Sequence, residues 1–202
     1  MSRTAVPKAN SAAAEGGGTP VKLGLVRHPE TTAVAGSCYG RSDVGVPPEA
    51  TRVIAERIAP ALPAGIELVC SPLQRCAILA QALVALRPAL TLRIDPRIAE
   101  MDFGSWEGRA WSSIGRTELD AWTRAFADAP AGGDGESTRQ FMRRVGEAFD
   151  EWRDRGRDAL WITHAGVIRA VWALRDGQRC IERADQWPSR PVAFGEWVVV
   201  EI

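Results

Sequence analysis

The chain has 202 residues, 46% hydrophobic and 25% charged, which suits one well-buried globular domain or at most two small ones. Lys+Arg and Asp+Glu number 25 each, so the net charge is zero and nothing marks a nucleic-acid or anionic-membrane binder. No run reaches the roughly 18 apolar residues of a membrane helix, and the four cysteines lack C-x-x-C and metal-ligand spacing, which fits reduced thiols in a cytoplasmic protein.

Residues 1–20 are rich in Ala, Gly and Ser and lack the apolar core of a signal peptide. They are read as a disordered leader before a single domain over 21–202. Residues 21–26 form an apolar run that suits a strand buried on both faces. Pro29 stops it, because proline has no N–H for the ladder. A polar loop follows over 31–48. A helix is predicted from Glu49 to about Ala59, with Val53, Ile54 and Ile58 on its inner face. Residues 65–70 read as a second strand. Ser71, Pro72 and Gln74 then carry helix-start signals, with Ser71 as the cap. Ile78, Leu79, Ala82, Leu83 and Leu86 give that helix its buried stripe, and Pro88 ends it. Residues 91–94 are a short third strand.

Residues 97–108 form a loop with several carboxylates and glycines. A helix is predicted over 111–127, then a glycine-rich break over 130–135. A long helix covers 136–155, with Phe141, Val145, Phe149 and Trp152 inward and Arg143, Arg144, Arg153 and Arg155 on its solvated face. A fourth strand ends at His164, and a helix from about Val167 to Leu174 follows. One or two strands close the chain over 192–202, the last of them free to run antiparallel. Alternating strands and helices predict a three-layer α/β/α sandwich with a mainly parallel central sheet.

The chain has only two histidines, and each stands where a strand ends. A single histidine there usually serves packing. Two in matching positions, one preceded by Arg27, argue for a ligand site at the carboxyl ends of the strands. Arg75 lies in a first helical turn, and its side chain leans back toward the same edge. Arginine forks match phosphate oxygens, and a neutral imidazole is a nucleophile toward phosphorus. No Walker A loop and no G-x-G-x-x-G is present. A zinc site would compete for the histidines but lacks further ligands at suitable spacing.

These residues fall into five ordered segments. Arg27-His28-Pro29-Glu30-Thr31 resembles the R-H-G-E-T signature of the histidine phosphatase (phosphoglycerate mutase-like) superfamily, with proline for glycine. Ser71-Pro72-Leu73-Gln74-Arg75 is similar to its S-P-L-x-R segment. Residues 100–108 are similar to E-x-x-F-G-x-W-E-G, Gly135-Glu136-Ser137 to G-G-E-S, and Thr163-His164-Ala165-Gly166 to S-H-G-G. The resemblance implies a phosphoglycerate mutase-like fold and a metal-independent phosphomonoesterase without cofactor. It implies that His28 attacks phosphorus and that Arg27, Arg75 and His164 hold the phosphoryl oxygens. Glu100 would protonate the leaving alkoxide and then activate water, with Glu107 the second choice. Thr31 and Arg41 join the implied substrate-binding set.

Pro29 and the missing W-N pair favour hydrolysis over mutase activity; they also motivate a non-catalytic phosphate-binding alternative. Within the family, R-H-P, C-Y-G-R-x-D and E-M-D-F-G-x-W-E-G resemble α-ribazole phosphatases. That implies α-ribazole phosphate or adenosylcobalamin phosphate as substrate, with a broad sugar-phosphate phosphatase as the alternative. The partner expected is a small phosphate ester, with no nucleic acid and no membrane insertion; a homodimer is left open.

Overall fold

The computed structural model describes residues 20–202. The leader read over 1–20 therefore lies, but for Pro20, outside the described residues. Five strands form one sheet: β1 (Lys22–Arg27), β2 (Glu67–Cys70), β3 (Thr91–Ile94), β4 (Ala159–Thr163) and β5 (Trp197–Glu201). Their order is β3-β2-β4-β1-β5. All neighbours pair in parallel except β5, which closes the β1 edge antiparallel. The helices are α1 (Pro48–Ile58), α2 (Gln74–Leu86), α3 (Arg116–Arg124), α4 (Thr138–Arg155) and α5 (Ala165–Arg175).

The alternation of side chains along the strands divides the interior in two. Leu23, Leu25, Ala159 and Trp161 face a core built with α4 and α5. Val26, Leu68, Leu160 and Ile162 face a second core built with α1 and α2. Both faces of the central strands are covered, as a parallel sheet requires. The three-layer sandwich expected from the sequence is present. Among the described residues, no helix is long and apolar enough to cross a membrane.

Several local expectations are corrected. Val53 and Leu86 are half exposed; Ile54, Ala55 and Ile58 bury α1, and Cys76, Leu79, Ala80 and Leu83 bury α2. The helix expected over 111–127 is broken into a 3₁₀ turn at Trp111–Ser113 and the shorter α3. The break sits at Ile114 and Gly115, which are extended, and the Glu118 carboxylate accepts the Gly115 N–H at 3.2 Å. Ser71 does not cap α2, whose N-cap is Leu73. Arg144 is not on a solvated face: it donates to the carbonyls of Arg97, Ala99 and Glu100 and to Glu136. Arg155 is exposed as expected; it pairs with Glu151 one turn back on α4 and with Glu67 of β2.

Candidate active site

The site lies where β1 and β4 end side by side. Arg27 is in register with Thr163, so the residues that follow, His28 and His164, emerge as neighbours. The His28 N–H donates to the Thr163 carbonyl at 3.0 Å, and the two ring centroids are 5.3 Å apart. Arg75 enters from the first turn of α2, and Glu100 from the loop after β3. A cavity of about 180 Å³ is lined by Arg27, His28, Ser37, Tyr39, Arg75, Glu100, Phe103 and Trp111.

His28 is 2% exposed. Its Nδ1 lies 2.7 Å from the Pro29 carbonyl oxygen. A carbonyl only accepts, so Nδ1 carries the proton and Nε2 keeps its lone pair. Burial, together with the Arg75 and Arg27 charges, pushes the imidazole pKa down to about 3, against the opposing pull of the Pro29 bond. His28 is thus a neutral imidazole with one free nitrogen.

The arginines are fixed by main-chain carbonyls. Arg27 donates through Nη1 to Val192 O at 2.6 Å and stacks on Phe194, its Cζ 3.8 Å from the ring centroid. Its buried Nε has no partner. Arg75 is fully buried and donates to Ser42 O at 2.8 Å, to Gly40 O at 2.5 Å and, through Nε, to His164 Nδ1 at 3.3 Å. Three of its five N–H groups are engaged, which leaves two for an anion.

Glu100 accepts the Gly166 N–H through Oε2 at 3.1 Å and the Met101 N–H through Oε1 at 3.1 Å. Glycine at 166 permits this approach: a Cβ there would lie 2.1 Å from Oε1 and would displace the carboxylate. Arg144, holding three carbonyls at 97, 99 and 100, fixes the loop that carries Glu100.

Residues 23–189 match the family model of the histidine phosphatase superfamily (branch 1). The chain belongs to that superfamily. It is 30% identical over 161 residues to a bifunctional protein of Mycobacterium tuberculosis, a match covering 76% of this chain and 41% of that protein. Among solved structures it is similar to an alpha-ribazole phosphatase of Shigella flexneri (TM-score 0.74, 24% identity, 90% of this chain and 91% of that one). It is similar also to a protein of Thermus thermophilus (TM-score 0.64, 29%, 89% and 93%). A mycobacterial glucosyl-3-phosphoglycerate phosphatase in complex with VO3 is a third likeness (TM-score 0.73, 23%, 89% and 90%).

In this histidine phosphatase domain, His28, Arg27, Arg75 and Glu100 share one cavity as the sequence suggests. His164 does not line it. The ring is fully buried, its Nδ1 is taken by Arg75, and its Nε2 lies 2.8 Å from Ser71 Oγ. Nδ1 accepts from a guanidinium, so Nε2 carries the proton and donates to Ser71. His164 therefore positions Arg75, and Ser71 anchors His164 instead of capping a helix. Glu107, the second choice for the proton donor, does not line the cavity: its carboxylate accepts from the main-chain N–H groups of Gly40, Arg41, Ser42 and Phe103 at 2.8–3.0 Å. It is the clamp for the loop whose carbonyls hold Arg75. Arg41 is exposed, pairs with Asp102 and lines a separate cleft. Thr31 is half-buried and does not line the small cavity. Tyr39, Phe103 and Phe194 were not singled out from sequence. Phe194 reaches His28, at 5.6 Å between centroids, because the Gly195 N–H binds the Arg27 and His28 carbonyls.

The depressed histidine has a sign that can be tested. The unfolded His28 titrates near 6.5 and the folded one near 3. Between those values the unfolded chain binds more protons, so stability falls as pH drops below about 6.5. By pH 5 the loss from His28 is about 2 kcal/mol. Urea midpoints at pH 7.5 and pH 5.0 measure it, and His28→Ala is expected to shrink the difference. An equal difference in that variant would contradict this reading.

Proposed function

We propose that this domain hydrolyses phosphate monoesters through a phosphohistidine at His28. The observation that carries the reading is the 2.7 Å contact between Nδ1 of the buried His28 and the Pro29 carbonyl, which leaves Nε2 as the free nitrogen of a residue that lines a cavity with two guanidinium groups. Nε2 forms a bond to phosphorus as the P–O bond to the leaving group breaks. The negative charge gathers on the equatorial oxygens, opposite Arg27 Nε and the free Arg75 donors. Glu100 delivers its proton to the departing alkoxide, which leaves as an alcohol. As a carboxylate it then takes a proton from water; the hydroxide attacks phosphorus, the N–P bond breaks, and phosphate departs.

Within that activity the substrate proposed is α-ribazole 5′-phosphate. Support comes from the R-H-P, C-Y-G-R-x-D and E-M-D-F-G-x-W-E-G segments and from the fold shared with the Shigella flexneri phosphatase. The test is the initial rate on α-ribazole 5′-phosphate against a panel of sugar phosphates, with released phosphate and the second product identified. A higher kcat/KM on a sugar phosphate would remove the substrate assignment and leave the phosphatase. Release of no phosphate from any ester would remove both.

Glu100→Gln should separate the proton transfer from the attack. With an alkyl ester, kcat is expected to fall about 10²- to 10³-fold. With p-nitrophenyl phosphate, whose leaving group departs unprotonated, phosphohistidine formation in a burst measurement should fall far less. Equal losses on both esters would assign Glu100 to structure.

A further inference from the structure

Phe194 is a large apolar side chain that neither core claims. It is 38% exposed and lies outside both apolar clusters. Its ring meets instead the two residues at the end of β1. Arg27 Cζ stands 3.8 Å from the ring centroid, a stacking distance for a guanidinium, and the His28 ring centroid is 5.6 Å away. His28 has a second ring neighbour, His164, at 5.3 Å. His164 is fully buried, so Phe194 is the neighbour that borders solvent, while His28 itself is only 2% exposed.

The backbone that presents this ring is tied to the same two residues. The Gly195 N–H is shared between Arg27 O at 3.1 Å and His28 O at 3.2 Å, and the Arg27 N–H donates to Glu196 O at 3.1 Å. The turn closes on itself, with the Glu196 N–H on Ala193 O at 3.1 Å and the Ala193 N–H on the Glu196 carboxylate at 2.6 Å. Gly195 sits at φ +68°, and a Cβ there would lie 2.5 Å from Ile54 Cδ1, so the turn needs glycine to approach α1. Arg57 of α1 donates to the Gly195 carbonyl. Val192 O, just before the turn, accepts Arg27 Nη1 at 2.6 Å. Main chain and ring thus grip Arg27 from two directions.

We propose that Phe194 is a positioning residue for the phosphate site: its ring fixes the plane of the Arg27 guanidinium and keeps water from the outer side of the His28 imidazole. The catalytic consequence rests on the phosphatase reading; the hold of the ring on Arg27 and His28 does not. With one face on the ring and Nη1 on Val192 O, the guanidinium keeps one orientation toward an anion. The groups around His28 come from several elements: Arg27 on β1, Arg75 on α2, His164 after β4, and Glu100 and Tyr39 on the shared cavity wall. Burial is the first of the causes that keep this imidazole neutral, ahead of the Arg75 charge. Removing the ring admits water, weakens that penalty on the charged form and moves the pKa up.

The experiment compares wild type with Phe194→Leu, Phe194→Ala and Phe194→Tyr. Leucine keeps an apolar cover and loses the π face, alanine loses both, and tyrosine keeps both. Calorimetry with inorganic phosphate reads Arg27. Affinity is expected to weaken about tenfold with leucine and alanine and to stay within about twofold with tyrosine. NMR titration of the imidazole C–H signals reads His28, in a chain with only two histidines. Its midpoint, about 3 in wild type, is expected to rise by at least about one unit with alanine and to hold with leucine and tyrosine. On p-nitrophenyl phosphate, kcat/KM should fall with phosphate affinity, and the acid limb of its pH profile should move up only with alanine. Should alanine unfold the domain, the leucine variant still reads Arg27. Unchanged phosphate affinity with leucine and alanine overturns the proposal, as does a loss of activity that tracks a lowered Tm and is not restored by tyrosine. The expected shifts in affinity and midpoint, in a protein that turns over no ester, uphold the positioning role and overturn the phosphatase reading.

Discussion

His28→Ala is expected to lower kcat by roughly 10⁴-fold or more and to abolish trapping of labelled phosphoenzyme. Loss of a covalent nucleophile is among the largest single effects known in enzymes, because the remaining groups can only bind and stabilise charge. Those groups stay in place here. Arg27 is held by Val192 O and Phe194, and Arg75 by Gly40 O, Ser42 O and His164. None of these contacts passes through the His28 ring. The variant should therefore still bind inorganic phosphate, within about tenfold of wild type, when binding is followed by calorimetry. It should also lose the pH-dependent destabilisation caused by an imidazole kept neutral. Quench-flow trapping with a labelled ester is the decisive measurement. A phosphoenzyme in the alanine variant would place the nucleophile elsewhere.

Arg75→Met is expected to damage both stability and catalysis. The substitution leaves three acceptors without donors: the carbonyls of Gly40 and Ser42 and the Nδ1 of His164. Each is buried or partly buried, and the combined cost is about 2–4 kcal/mol. Two phosphate donors are lost with it, which should reduce kcat/KM by about 10²- to 10³-fold. The His28 pKa should move up, since Arg75 is the larger of the two charges holding it down. Arg75→Lys is expected to recover little of either property. One ammonium cannot reach two loop carbonyls, an imidazole and a phosphate oxygen, which a planar guanidinium spans with five N–H groups. Urea unfolding and steady-state kinetics on the three proteins test this. A lysine variant with wild-type kcat/KM would show that Arg75 acts only as a point charge.

The central strands β1, β2 and β4 were legible because each is a short, mainly apolar run closed by a proline or polar residue, the pattern of strands covered on both faces. The site was legible in part for a related reason. A histidine after an apolar run can stand only at a strand end, and two such ends side by side bring their residues together. Helix interiors were harder. Val53 and Leu86 fit the helical period but face outward, since periodicity gives a stripe and not the width that neighbours cover. The stretch 111–127 has helical spacing, yet Ile114 and Gly115 are extended, and Glu118 accepting the N-cap Gly115 N–H starts a separate helix at Arg116.

Sequence by itself determined the layered α/β architecture and the family, and it named the groups proposed to react: His28 as nucleophile candidate, Arg27 and Arg75 as cations, and Glu100 as the matching carboxylate. Those are properties of local pattern and residue type. Tertiary structure alone decided what each group is free to do. It tied His28 Nδ1 to a carbonyl and left Nε2 open. It turned His164 and Ser71 into supports for Arg75, Glu107 into a four-N–H clamp and Arg144 into the brace of the Glu100 loop. It also placed Phe194 on Arg27 and beside His28. The physical reason is that a hydrogen-bonding atom serves few partners, and which partners reach it depends on residues far away in the chain.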